Sequence, residues 1–250
     1  MKDLAFTIHD RPGLRSTPSA NLTLVAELRA LASLSLDPVP DYQCFSRSSS
    51  ALDDKIIITA HKKAESNGRE KGQLVAFTSA VMLQIEDLDA EVFHTGLTIV
   101  HPSIRRQGLL VQLFMRLLIH INSDCSPEQR IWITSLAEIP NSLVHVATFM
   151  AKVFPSPSVQ EPSETHLLIA RAINKVHRKK MLIAPGAVFN EENFVFKGSN
   201  DSEEGRVFQK DSDNPEYWHR DRVANDYYRA LLRGKGDEVL QVNEQKSQTP

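Results

Sequence analysis

A proline, two arginines, a glutamine and a glycine fall within seven residues, Pro102 to Gly108, between a β-branched run and an apolar helical pattern. The full stretch is Leu97-Thr98-Ile99-Val100-His101-Pro102-Ser103-Ile104-Arg105-Arg106-Gln107-Gly108-Leu109-Leu110. It reads as a strand, a sharp proline break, a basic polar turn and a helix that begins at once. The first N–H groups of a helix lack intrahelical acceptors and sit at the positive end of the dipole, so such a turn can cradle a pyrophosphate. Gly108 lets phosphate oxygens approach the backbone closely. Taken alone, the same residues also fit an ordinary basic helix start.

The run resembles the coenzyme A signature of GNAT acetyltransferases, in which a strand ending V-x-P is followed by Q/R-x-x-G-x-G/A. Val100-His101-Pro102 matches the first part, and Arg105-Arg106-Gln107-Gly108 matches the second at the usual spacing. Leu110 stands where Gly or Ala is usual. The resemblance covers residues 55–155 and rests as much on the order of elements as on the motif. It implies that the backbone of Thr98, Ile99 and Val100 pairs with the pantetheine arm, while Arg105, Arg106, Gln107, Gly108, Leu109 and Leu110 bind the pyrophosphate. The tail segments Asn193–Asn200 and Tyr217–Val242 further resemble those of uncharacterised fungal GNAT-like proteins.

Acyl transfer by direct attack needs a neutral amine, a polarised thioester carbonyl and a proton for the departing thiolate. The resemblance implies a carbonyl held by backbone N–H around Ile99–Val100 and a tyrosine acid in the helix after the fifth strand. That place falls on Phe149, which has no proton to give. A water or another side chain, the tail tyrosines Tyr227 or Tyr228, or the absence of efficient turnover are the three ways to account for it. Tyr228 is the candidate acid. Glu91 and His94 are candidate bases, because they lie on the strand that would border the amine, with Glu138 as a rival. On a regular strand Glu91 and His94 point to opposite faces, so at most one of them meets the amine. His145, His166, His177 and His219 lack metal-ligand spacing, so no metal is expected. His177-Arg178-Lys179-Lys180 reads as a solvated helix end or as an attractor for the 3′-phosphate of coenzyme A, and Trp218 as a tail anchor.

The elements that must position these residues follow from pattern. Leu4–Ile8 is a short strand ended by Asp10-Arg11-Pro12-Gly13. Leu24, Leu28, Leu31 and Leu34 recur at helical spacing over 22–34, capped by Asn21 or Ser19. Lys55–His61, Gln73–Ile85 and Glu91–Val100 form an antiparallel meander, since their links are too short for parallel crossovers. A helix runs through Leu109, Leu113, Leu117 and Ile121. A strand at Arg130–Leu136 and a helix at Asn141–Val153 follow, stopped by Phe154-Pro155. Beyond the Pro- and Ser-rich stretch Ser156–Ser163, His166–Val176 reads as helix, and Val188–Phe196 and Arg206–Phe208 as extended. Arg222–Leu232 reads as helix and Glu238–Val242 as a last strand.

The expected organisation is a core over 1–155, a C-terminal extension over 156–242 and a disordered tail over 243–250. The fold class is α/β (α+β): a GNAT-like, mostly antiparallel, splayed sheet flanked by helices. The chain has 250 residues, 41% hydrophobic, with 29 Lys and Arg against 31 Asp and Glu, giving a net charge of −2 and a pI near 6.5. Such balance disfavours nucleic acid as a partner. No run approaches a membrane span and the first residues lack a signal-peptide core, so a cytoplasmic protein is expected. The expected function is transfer of acetyl, or another acyl group, from acetyl-CoA or another acyl-CoA to a primary amine of a small molecule or protein. The alternative is a catalytically weak acyl-CoA-binding or assembly protein. Cys44 and Cys125 are too few and too scattered for a disulfide framework, so dithiothreitol should leave the melting temperature unchanged; a large loss would reveal a bridge between them.

Overall fold

Strand β1 (Leu4–Asp10) pairs antiparallel with β2 (Lys55–Lys63), which pairs antiparallel with β3 (Lys71–Leu83). The computed structural model describes residues 4–63, 71–124 and 129–245. By density of internal contacts the chain divides into two units, 1–82 with 95–126, and 83–94 with 127–250. The division falls inside β4 (Glu91–Val100). Strand order is β1-β2-β3-β4 in the first unit and β4-β5-β8-β7-β6 in the second, eight strands among the described residues.

The first unit also holds α1 (Pro12–Arg15), α2 (Pro18–Ala32) and α3 (Leu109–Asp124). Helix α2 starts before the predicted caps, because Thr17 Oγ1 accepts from the N–H of Ala20 at 3.3 Å and Pro18 occupies the first helical position. Proline there loses no hydrogen bond and already has helical φ. Leu24, Leu28 and Leu31 face the core as the spacing predicts, but Leu34 lies beyond the helix end and is exposed. The guanidinium of Arg29 gathers the carbonyls of Val39, Pro40 and Phe45, each at 3.0 Å, and so fixes the loop after α2. Residues Lys55 to His61 of β2 are buried without alternation, and α3 packs against this strand. Strands covered on both faces lose the period-two signal for this reason.

The second unit opens with the first residues of β4, which pair parallel with β5 (Ile131–Ala137) from Glu91↔Ile131 to His94↔Thr134. Strand β8 (Glu238–Gln245) lies antiparallel between β5 and β7 (Val195–Lys197), and β6 (Val188–Asn190) completes the order. Among the described residues β1–β2, β2–β3, β5–β8, β6–β7 and β7–β8 all pair antiparallel, in keeping with the predicted fold class. Helices α4 (Pro140–Phe149), α5 (Glu164–Ala172) and α6 (Arg222–Leu231) flank these strands. Leu143 and Val144 of α4 share a core with Tyr228, Leu232, Val195 and Val239.

Three predicted elements need correction. Helix α4 stops at Phe149, not Val153, because Phe154 exchanges backbone hydrogen bonds with Val242 at 3.0 and 2.8 Å and draws the chain before it into an extended path. Gly205–Phe208 is a 3-10 turn and not extended. Strand β8 runs on through Asn243 to Gln245, and buried Asn243 donates to the Ile133 carbonyl at 2.8 Å, so the tail expected from 243 is ordered that far. Residues 246–250 of the expected disordered segment lie outside the described residues.

Leu28 is fully buried and Leu22, on the same helix, is 61% exposed. Leu28→Ala should therefore cost about 2–5 kcal/mol in urea unfolding, and Leu22→Ala no more than about 0.5 kcal/mol.

Candidate functional site

The turn after β4 is built by successive constraints on the backbone. The N–H of His101 donates to the Val75 carbonyl at 2.8 Å. Pro102–Ile104 then makes one 3-10 turn, with the ring Nδ1 of His101 accepting from the N–H of Ser103 at 3.2 Å. Arg105 is extended, Arg106 takes a φ of 64° and Gly108 a φ of 73°. Helix α3 begins at Leu109, and the N–H of Gln112 closes its first bond to the Gly108 carbonyl at 3.3 Å. The N–H groups of Leu109, Leu110 and Val111 accordingly have no acceptor within the helix.

Arg105 holds this turn from the side. Its Nε donates to the Val100 carbonyl at 3.2 Å and its Nη2 to Ser35 Oγ at 2.6 Å. Arg106 and Gln107 are exposed. Leu109 is buried, whereas Leu110, the departure from the signature, is exposed. A Cβ on Gly108 would meet nothing within 4 Å, so glycine is favoured there by the left-handed φ and not by crowding.

Along β4 itself, side chains replace part of the regular ladder. Ser79 Oγ accepts from the N–H of Leu97 at 3.1 Å and donates to its carbonyl at 3.3 Å. Thr98 Oγ1 and Thr78 Oγ1 lie 2.7 Å apart. A Cβ on Gly96 would fall 2.3 Å from Gln43 Oε1 and 2.8 Å from Ser79 Oγ, so only glycine admits the Gln43 carboxamide there. Sequence reasoning misses Gln43, Ser79 and Gly96, since nothing short-range joins a loop residue to a strand more than fifty positions on.

The predicted acid and bases occupy the second unit, and residues 98–110 the first. Glu91 accepts from Gln129 Nε2 at 3.2 Å. His94 is buried, with its Nδ1 3.0 Å from Thr134 Oγ1. Burial, aided by the nearby His177, pushes its pKa down to about 3, so it stays neutral across the physiological range. Tyr228 is fully buried; its hydroxyl donates to the Pro155 carbonyl at 3.2 Å and accepts from Gln241 Nε2 at 2.8 Å. Gln241 extends the network to the Leu143 carbonyl and to Ser135 Oγ. Burial raises the phenol pKa, the Tyr227 neighbour adds to that, and the Gln241 bond opposes it. Phe149 is exposed at the end of α4, stacked on the His145 ring at 6.3 Å, and His145 meets His219 edge-on at 5.1 Å.

Among the described residues no group of three His, Cys, Asp or Glu is placed to hold a metal ion, and no helix is long and apolar enough to cross a membrane. Cys44 is buried and burial pushes its thiol up to about 12, which keeps it protonated and unreactive. Cys125 lies outside the described residues. His177 is buried and bonds the Gln84 carbonyl through Nε2 at 2.9 Å, while Trp218 Nε1 donates to the Ser212 carbonyl at 3.0 Å beneath the Arg229 guanidinium.

The Tyr228 hydroxyl serves two buried partners, so Tyr228→Phe should lower stability by about 1–3 kcal/mol in urea unfolding. A loss under about 0.5 kcal/mol would show that the network contributes little.

No family model matches the sequence, and no curated protein matches it. Solved structures similar to it include the aminoglycoside N-acetyltransferase AAC(6')-Iy in complex with CoA (14% identity, TM-score 0.39, covering 58% of this chain and 84% of that chain). The NatC complex bound to Gag peptide and CoA is similar at 12% identity and a TM-score of 0.40, covering 61% of this chain and 88% of that one. Arabidopsis thaliana NAA60 in complex with a bisubstrate analogue is similar at 11% identity and a TM-score of 0.38, covering 60% of this chain and 88% of that one.

Proposed function

We propose that the chain is an acyl-coenzyme A-dependent N-acyltransferase of the GNAT type. The observation that carries the reading is the turn at residues 101–108, which ends β4 and leaves the N–H groups of Leu109, Leu110 and Val111 at the head of a sixteen-residue helix. Pyrophosphate would be held there, with Arg106 and Gln107 exposed beside it and Arg105 bracing the turn. The backbone of Thr98, Ile99 and Val100 is the proposed partner of the pantetheine arm. In support, the β4–β5 ladder covers only Glu91 to His94, while β4 runs on for six residues to Val100. The acyl group and the acceptor amine stay at the level of class: a coenzyme A thioester and a primary amine.

Within this reading Glu91 is the better base of the two strand candidates. His94 is held neutral by burial and would be a weak one. Tyr228 can act as acid only if its bonds to Pro155 and Gln241 open. Those bonds, together with Phe149, favour a second reading: a domain that binds acyl-coenzyme A with little turnover.

Isothermal calorimetry with acetyl-coenzyme A tests both. The wild type should bind; Gly108→Glu, which puts a negative charge where phosphate must approach, should abolish binding in a folded protein. Gly108→Ala should retain binding and lose only about 1–2 kcal/mol of stability to the left-handed backbone. Equal binding by all three proteins overturns the site. Binding without acyl transfer to a panel of primary amines favours the second reading, and transfer above the uncatalysed rate favours the first.

A further inference from the structure

Between the end of α6 and one face of the short β6–β7 hairpin lies a cavity of about 480 Å³, a size that holds a small-molecule ligand. Val195 and Lys197 alternate onto the same face of β7, and Asn190 stands directly opposite Val195 on β6. Val195 shares a core with Tyr228 of α6 and with Leu232 just beyond it, which brings the end of that helix over the hairpin. Val195, Ala230 and Leu231 give the cavity apolar surface. Asn190, Asn193, Lys197, Arg233 and Asp237 give it a polar wall.

The acceptors on that wall are engaged within the fold. Asn190 Oδ1 accepts from the N–H of Glu192 at 2.9 Å and Asn193 Oδ1 from that of Val195 at 3.3 Å, which orients both carboxamides and leaves their Nδ2 groups as donors. Asp237, 6% exposed, accepts from the N–H of Gly198 at 2.9 Å on one oxygen and from that of Gly234 at 2.8 Å on the other. At the end of α6 the Ala230 carbonyl accepts from Arg233 Nε at 3.1 Å, the Leu231 carbonyl from the N–H of Arg233 at 3.2 Å and the Tyr228 carbonyl from the N–H of Leu232 at 3.0 Å. The donors are not engaged to match. Among the described residues neither Lys197 Nζ nor the terminal nitrogens of Arg233 meet an acceptor, and both side chains are exposed. The wall therefore calls for a ligand with acceptors and negative charge at one end and apolar surface at the other.

We propose that this cavity binds a small phosphate monoester with a short apolar body. The phosphate oxygens accept from Lys197, Arg233 and the Nδ2 groups of Asn190 and Asn193, while the apolar body lies on Val195, Ala230 and Leu231. A carboxylate would offer two oxygens and one charge to these donors. A phosphate monoester offers three terminal oxygens and nearly two charges, and arginine can hold it through paired N–H bonds. The site lies wholly in the second unit and does not depend on acyl transfer at the 101–108 turn.

Isothermal calorimetry of the full chain at about pH 8, where a phosphate monoester is a dianion, tests the site with hexyl phosphate, inorganic phosphate and hexanoate. The wild type should bind hexyl phosphate at least about tenfold more tightly than inorganic phosphate, because methylenes leave water for the apolar wall, and more tightly than hexanoate. Lys197→Met and Arg233→Met should each weaken hexyl phosphate by about tenfold or more, whereas Lys235→Met, outside the lining, should leave it unchanged. Absence of binding, equal affinity for inorganic phosphate or hexanoate, or wild-type affinity in both lining variants overturns the proposal. If either variant fails to fold, nitrogen-15 NMR of the wild type decides. Hexyl phosphate should shift the side-chain amide signals of Asn190 and Asn193, and signals that stay in place overturn the site.

Discussion

The hydrogen bond from the His101 N–H to the Val75 carbonyl ties the end of β4 to β3, and the shape of the residues that follow depends on it. Pro102 comes next and has no N–H to continue the ladder, so the chain must leave the strand there. It then has only Ser103 to Gly108 in which to reverse direction and start α3. Two left-handed residues, Arg106 and Gly108, take up that turn. Glycine at φ 73° carries little cost, whereas Arg106 at φ 64° carries some, and the side chain of Arg105 across to Val100 and Ser35 helps to hold the strained path. Any tilt of β4 would therefore displace the head of α3 with it.

The polar groups of the second unit answer to a different demand. Tyr228, Gln241, Ser135 and the carbonyls of Leu143 and Pro155 form a closed set in which each buried donor finds an acceptor. His94 with Thr134, and Asn243 with the Ile133 carbonyl, repeat the pattern nearby. Groups so committed stabilise a fold because leaving any one unpaired is costly. The same commitment removes them from proton traffic: burial lowers the His94 pKa and raises that of Tyr228. A side chain that matches a catalytic position by spacing can thus be held by packing in the wrong protonation range for the task.

The sequence reveals most where punctuation is local. Strand β4 is legible to the residue, Glu91–Val100, because the acidic turn precedes it and Pro102 follows it. The turn and the start of α3 are legible for the same reason. Helix α4 is not legible at its end, because what stops it is backbone pairing of Phe154 with Val242, almost ninety residues further on. The 3-10 turn at Gly205–Phe208 reads as extended only because Arg206-Val207-Phe208 has β propensity, which the anchors at Ser202 and Asn200 override. Within the candidate site the motif residues are visible in the sequence, but Ser79 beside Leu97 and Gln43 beside Gly96 are not. A tyrosine pair on α6 is visible, while the environment of Tyr228 is set by Gln241 and Pro155, which no spacing rule connects to it.

Strand β8 lies between β5 and β7, although it is the last of the eight in the chain. During synthesis β5 emerges more than a hundred residues before the partner that covers its second edge. Through that interval Ile131 to Ala137 present an open row of N–H and C=O groups on an apolar strand, the kind of edge that recruits other chains. The edge of β5 is thus covered only once the last strand, through Gln245, has left the ribosome.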